Sequence, residues 1–148
     1  MPIPSFTSEG FLPEGIHDCS LEEVRKAFGG FHLTDRRPQL YRKLDEFVKA
    51  LRSLQTPCFL VVNGSFATSE PRPNDIDLIL VLPQEWDLHA ELLPSAYNLI
   101  SKKRVKRIWG FDLLVAREGT KEYLKYVTFF QRVRYRRNVR KGILRIKI

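Results

Sequence analysis

The stretch that decides the fold is residues 61–82, VVNGSFATSEPRPNDIDLILVL. It continues an apolar run that begins at Phe59, breaks at Gly64-Ser65, and returns to an apolar run at Asp75-Ile76-Asp77. Pro71 and Pro73 lie in the polar segment between, so that segment is neither helix nor central strand. Side chains two apart on a strand share a face. Asp75 and Asp77 are therefore expected to converge on one cation while Ile76 turns into the core. Oxygen-only donors suit Mg²⁺, or Mn²⁺, better than zinc. Gly64 lets the backbone approach a ligand closely, and Ser65 offers a hydroxyl where phosphate could sit.

Working outward, residues 58–63 and 75–82 read as strands too apolar to face water. A third strand is expected over 107–116, with Asp112 set between Phe111 and Leu113-Leu114-Val115. Upstream, Leu40, Leu44, Phe47, Val48, Leu51 and Leu54 recur at spacings of three and four, which predicts a helix over 36–54 with one buried stripe. Ser20 and Glu23 have capping-box spacing, and Gly29-Gly30 ends the short helix they open, over 21–28. Helices are also expected over 88–101, interrupted by Pro94, and over 120–130. Residues 1–18 read as an extended arm. Residues 132–136 and 143–148 alternate polar and apolar, which predicts a C-terminal hairpin with its turn over 138–142.

The Gly-Ser pair, the nine residues to Asp75, the Asp-Ile-Asp spacing and the later Asp112 between apolar residues resemble the signature of the DNA polymerase β-like nucleotidyltransferases. One position departs: Asn63 stands where that superfamily has a hydrophobic residue. The whole chain also resembles stand-alone bacterial nucleotidyltransferase-like proteins of unknown function, through residues 10–17 (GFLPEGIH) and Phe129-Phe130-Gln131. The resemblance implies an α/β (α+β) palm, a small mixed sheet flanked by helices. It implies Asp75, Asp77 and Asp112 as catalytic metal ligands, with Gly64 and Ser65 toward a nucleoside triphosphate. Arg72, in the loop between the motif halves, is placed to reach that triphosphate or else is a solvated loop arginine. Transfer would go to a protein or RNA hydroxyl, and small members of the superfamily belong to toxin–antitoxin or phage-defence pairs.

At 148 residues the chain fits one domain. No apolar run approaches the ~20 residues that span a membrane, and the N-terminus lacks the pattern of a signal peptide. Cys19, Cys58, His17, His32 and His89 show no zinc spacing. A cytoplasmic protein is expected. The net charge of +8 is concentrated: Arg132, Arg134, Arg136, Arg137, Arg140, Lys141, Arg145 and Lys147 close the chain with no acidic residue among them. The other 17 basic residues balance all 17 acidic ones. Such a focused patch attracts polyanions, so nucleic acid is a candidate partner there.

Two classes of function follow. One is a Mg²⁺-dependent transferase of nucleoside monophosphates. The other is a non-catalytic partner or nucleic-acid-binding module that keeps the fold and uses the basic segment. Three carboxylates set in apolar strands are costly without a cation, which favours the first. A nuclease or phosphatase built on the same carboxylates ranks third, because Gly-Ser at this spacing suits nucleotide phosphate.

Overall fold

The structure is a computed structural model that describes residues 3–87 and 91–148. In chain order its elements are β1 (Gly15–Cys19), α1 (Leu21–Phe28), α2 (Arg36–Arg52), β2 (Phe59–Asn63) and β3 (Asp77–Leu82). After these come α3 (Pro94–Ile100), α4 (Lys102–Trp109), β4 (Asp112–Arg117), α5 (Lys121–Phe130), β5 (Arg132–Val133), β6 (Arg136–Arg140) and β7 (Gly142–Lys147). Five strands form one mixed sheet in the order β1-β7-β2-β3-β4. β2 runs antiparallel to both β3 and β7, whereas β3–β4 and β1–β7 are parallel. The fold class is thus mixed α/β.

Strand alternation divides the core in two. Leu60, Val62, Leu78, Leu80, Leu82, Leu144 and Ile146 face α1, α2, α3 and α4. The α2 stripe of Leu44, Phe47, Val48 and Leu51 is fully buried there, each side chain contributing about 1.5–3 kcal/mol. Val61, Ile79, Val81, Ala116 and Ile143 face the other way, against Val127 and Phe130 of α5. The capping box of α1 forms as expected, with Ser20 Oγ accepting from the Glu23 N–H and the Glu23 carboxylate accepting from the Ser20 N–H.

Several expected boundaries are corrected. Asp75 and Ile76 lie outside β3, where the Asp75 carbonyl accepts from the Phe66 N–H of the 3-10 turn Ser65–Ala67. Of the helix expected over 88–101, Leu88, His89 and Ala90 lie outside the described residues; the helix seen begins at Pro94, whose fixed φ suits a first position. Residues 107–109 belong to α4, not to a strand: Ser101 caps that helix and Gly110, at φ +83°, ends it. α4 buries only Val105, so it carried almost no apolar period to read.

The two ends of the chain also differ from expectation. Of the arm expected over 1–18, residues 1 and 2 lie outside the described residues, and the arm gives way to β1 at Gly15, which pairs in parallel with β7. Residues 132–148 do not close as one hairpin. β5 and β6 form a separate two-stranded ribbon turned at Arg134-Tyr135, while β7 enters the middle of the main sheet. The apolar residues Ile143, Leu144 and Ile146 are what decide this, because they are buried on both faces of the sheet.

Candidate functional site

One end of the sheet gathers the residues singled out by sequence. The end of β2 and the starts of β3 and β4 meet there. Asn63 pairs with Asp77, and Asp77 pairs with Asp112. Register partners share a face, so these three side chains stand in a row on the α5 side of the sheet. Adjacent strands put neighbours in that row about 4.8 Å apart at the backbone.

Asp75 reaches the same end by a different route. Ser65 donates to Asp75 Oδ1 from its backbone N–H (2.9 Å) and from its hydroxyl (2.6 Å). The same hydroxyl accepts from the N–H groups of Asn74 (2.9 Å) and Asp75 (3.3 Å). Ser65 is therefore engaged in holding Asp75 and closing its turn, and its expected service to a phosphate would require giving up one of these bonds. Gly64 makes the turn fit. At φ +93°, a Cβ there would lie 2.8 Å from the Asp75 carbonyl oxygen and 3.1 Å from the Asp77 nitrogen. The close approach expected at this glycine is thus to the chain's own backbone.

The charges at this end are coupled. Burial pushes the Asp77 carboxyl up to about 6, with the negative charges of Asp75 and Asp112 adding to the rise and Lys141 and Lys106 opposing it. Burial lowers the Lys141 ammonium from its ordinary value, opposed by Asp77 and Asp75. Asp112 Oδ1 lies 3.1 Å from Lys106 Nζ, both side chains being more than half exposed, a pairing worth little on its own. Asp77 and Asp112 share a cleft of about 330 Å³ with Lys102, Phe129 and Phe130. Arg72 is exposed on its loop and does not line that cleft. Among the described residues, no three His, Cys, Asp or Glu side chains are already gathered at metal-ligand spacing.

Four supporting residues were not assigned to the site from sequence, although Asn63 stood out as a departure from the motif. Arg37, only 5% exposed, donates to the carbonyls of Phe66 (2.7 Å), Thr68 (2.6 Å) and Glu70 (2.6 Å) between the rings of Phe28 and Phe66. Arg36 donates to the carbonyls of Pro73 (3.0 Å) and Asn74 (2.9 Å). Together they fix the loop from Ser65 to Asp75 onto the start of α2. Asn63 Nδ2 donates to the Phe130 carbonyl (3.1 Å), one of the free carbonyls at the end of α5. Its Oδ1 is buried with no hydrogen-bond partner. Lys141 is the fourth. Its signal was the charge of its segment, which did not single it out from seven other basic residues.

No curated protein and no solved structure matches the chain. Residues 4–147, nearly its whole length, match one family model, and the chain belongs to that family of unknown function, DUF6932.

Proposed function

We propose that this end of the sheet binds a nucleoside triphosphate with a divalent cation and transfers its nucleoside monophosphate to a hydroxyl, as in the polymerase β-like nucleotidyltransferase fold. The observation that carries the reading is the pairing of Asp77 with Asp112 in register, beside a Gly64-Ser65 turn that aims the Asp75 carboxylate at the same end. The donor set fits Mg²⁺ or Mn²⁺: three carboxylates of hard oxygen, with Asn63 Oδ1 a buried acceptor lacking a partner one strand from Asp77. Burial first, and then the charges of Asp75 and Asp112, raise the Asp77 carboxyl, and a cation held there would offset both.

In this reading Asp75 and Asp77 would hold one cation, and Asp112 with Asp75 would hold a second. When bound, the cations would supply positive charge to the triphosphate. The acceptor oxygen attacks the α-phosphorus and the bond to pyrophosphate breaks. The acceptor's proton passes to an Asp112 carboxylate oxygen. Lys141, half-buried beside Asp75 and Asp77, offers positive charge to the departing pyrophosphate. Phe129 and Phe130 supply apolar surface for a base or sugar in the cleft.

The test is incubation of the purified protein with each labelled triphosphate, Mg²⁺ and total RNA or lysate, with Asp77→Asn as control. Labelled product that is lost in the variant supports transfer. Calorimetric titration with Mg²⁺ and triphosphate that gives equal affinity for both proteins sinks the metal role. The alternative, a non-catalytic module of the same fold, draws on the Ser65 hydroxyl being already engaged by Asp75.

A further inference from the structure

The basic excess of the chain is not spread over its tail. Arg145 lies in the main sheet and is taken by Asp18, at 2.6 and 3.0 Å, and Arg136 pairs with Glu9. Of the other six basic residues, Lys147 ends β7, Lys141 follows β6, and four arginines sit on the β5–β6 ribbon. Arg132, Arg134, Arg137 and Arg140 are all exposed there, with no ion-pair partner among the described residues. Arg132, Arg137 and Arg140 border an open groove of about 600 Å³ with Tyr135 and Arg136.

The tip of the ribbon is unusual. Tyr135 is 90% exposed and sits at φ +65°, with the Arg134 guanidinium 5.1 Å from its ring centre. A left-handed conformation costs a non-glycine residue about 1–2 kcal/mol, and a bare aromatic ring forgoes the burial that would stabilise it. The two-residue turn calls for the positive φ, but the bare ring does not help the chain to fold. It fits a platform held out for something that stacks.

The base of the ribbon lies at the carboxylate cleft. The Lys141 N–H donates to the Gln131 carbonyl (2.8 Å) and closes the ribbon's open end. On one side of that bond are Phe129 and Phe130, which line the cleft holding Asp77 and Asp112. On the other is the Lys141 ammonium, which feels Asp77 and Asp75. Phe129 is itself 59% exposed and gives a second aromatic face between the ribbon and the carboxylates.

We propose that the β5–β6 ribbon binds single-stranded nucleic acid and leads its end to the cleft as the acceptor of transfer. Arginine takes phosphate through its planar fork of donors. Stacking on Tyr135 needs an unstacked base, which a single strand offers and a duplex does not. The acceptor role rests on the transfer reading above; the binding does not.

The experiment uses a labelled single strand of about twelve nucleotides, as RNA and as DNA, and the matching duplex, with binding followed by anisotropy from about 50 to 200 mM salt. The single strands bind more tightly than the duplex. With four arginines at about −0.7 each, log K falls against log salt with a slope of roughly −3. Replacing Arg132, Arg134 and Arg137 together by serine flattens that slope by about two. Tyr135→Ala weakens binding about tenfold or more without changing the slope, and Tyr135→Phe retains it. Duplex binding as tight as single-strand binding, or Tyr135→Ala binding like the wild type, overturns the proposal. Mg²⁺-triphosphate titration of the same variants separates the two readings. Intact triphosphate binding with no strand binding overturns the ribbon alone, whereas the reverse overturns the transfer reading alone.

Discussion

Asp77 and Asp112 are register partners at the starts of the parallel strands β3 and β4. Two carboxylates on one face, one strand apart, are a repulsive arrangement that folding tolerates only because the neighbouring apolar residues hold the strands there. The burial of Asp77, with that repulsion added, makes stability depend on pH.

Burial and the two neighbouring carboxylates raise the Asp77 carboxyl from 3.8 to about 6. Between those values the folded chain holds a proton that the unfolded chain has released. This group's favourable contribution is therefore complete below about pH 4 and lost as pH rises through 6. Asp77→Asn should raise the melting temperature at pH 7–8 and leave it nearly unchanged at pH 4. Thermal melts of both proteins across that range check it. An equal shift at both ends would show that charge is not the cause.

Gly64→Ala should damage the turn. The added methyl would meet the Asp75 carbonyl oxygen at 2.8 Å, on a residue at φ +93°. A loss of about 2 kcal/mol is expected, measured by urea unfolding. Mg²⁺-triphosphate affinity should fall about tenfold even where the variant is fully folded, because Asp75 and Asp77 are moved by the same clash. An alanine variant with wild-type stability would mean the turn relaxes freely.

Ser65→Ala removes the hydroxyl bond that holds Asp75 Oδ1 and leaves only the backbone N–H donor. About 1 kcal/mol of stability should be lost. Cation affinity should drop while triphosphate selectivity among bases stays the same, since Ser65 acts on Asp75. Manganese binding followed by paramagnetic relaxation, without nucleotide, separates this from a direct phosphate contact, which would leave manganese affinity unchanged.

Arg37→Met keeps the length of the side chain and its contact with Phe28 and Phe66, but abandons the carbonyls of Phe66, Thr68 and Glu70. Losing charged hydrogen bonds to buried acceptors should cost about 3 kcal/mol. Amide exchange should quicken over residues 65–75 more than in β2 and β3, which the sheet continues to protect. Uniform quickening across the sheet would place the role of Arg37 in the global core.

The candidate residues at the end of the sheet were legible as candidates from local pattern. The Gly64-Ser65 break, the spacing to Asp75 and Asp77, and Asp112 between apolar residues all belong to short stretches whose strand character follows from apolar runs. The cap of α1 was equally local, since Ser20 and Glu23 are three residues apart. What tertiary structure decided was which strands meet and what holds the loop between the motif halves. Asn63 reaches Phe130 across 67 residues of sequence, and Asp18 reaches Arg145 across 127. Arg37 looks like any helix-start arginine until α2 packs beside the turn and its guanidinium meets four carbonyls. The alternating segment 143–148 fits a hairpin strand or a sheet strand equally well by period. Only burial on both faces, supplied by β1, β2 and the two helical layers, made it β7 and left the arginines of β5 and β6 in solvent. Local spacing named the groups, and the physical reason the rest stayed hidden is that burial and partnership are properties of the packed chain.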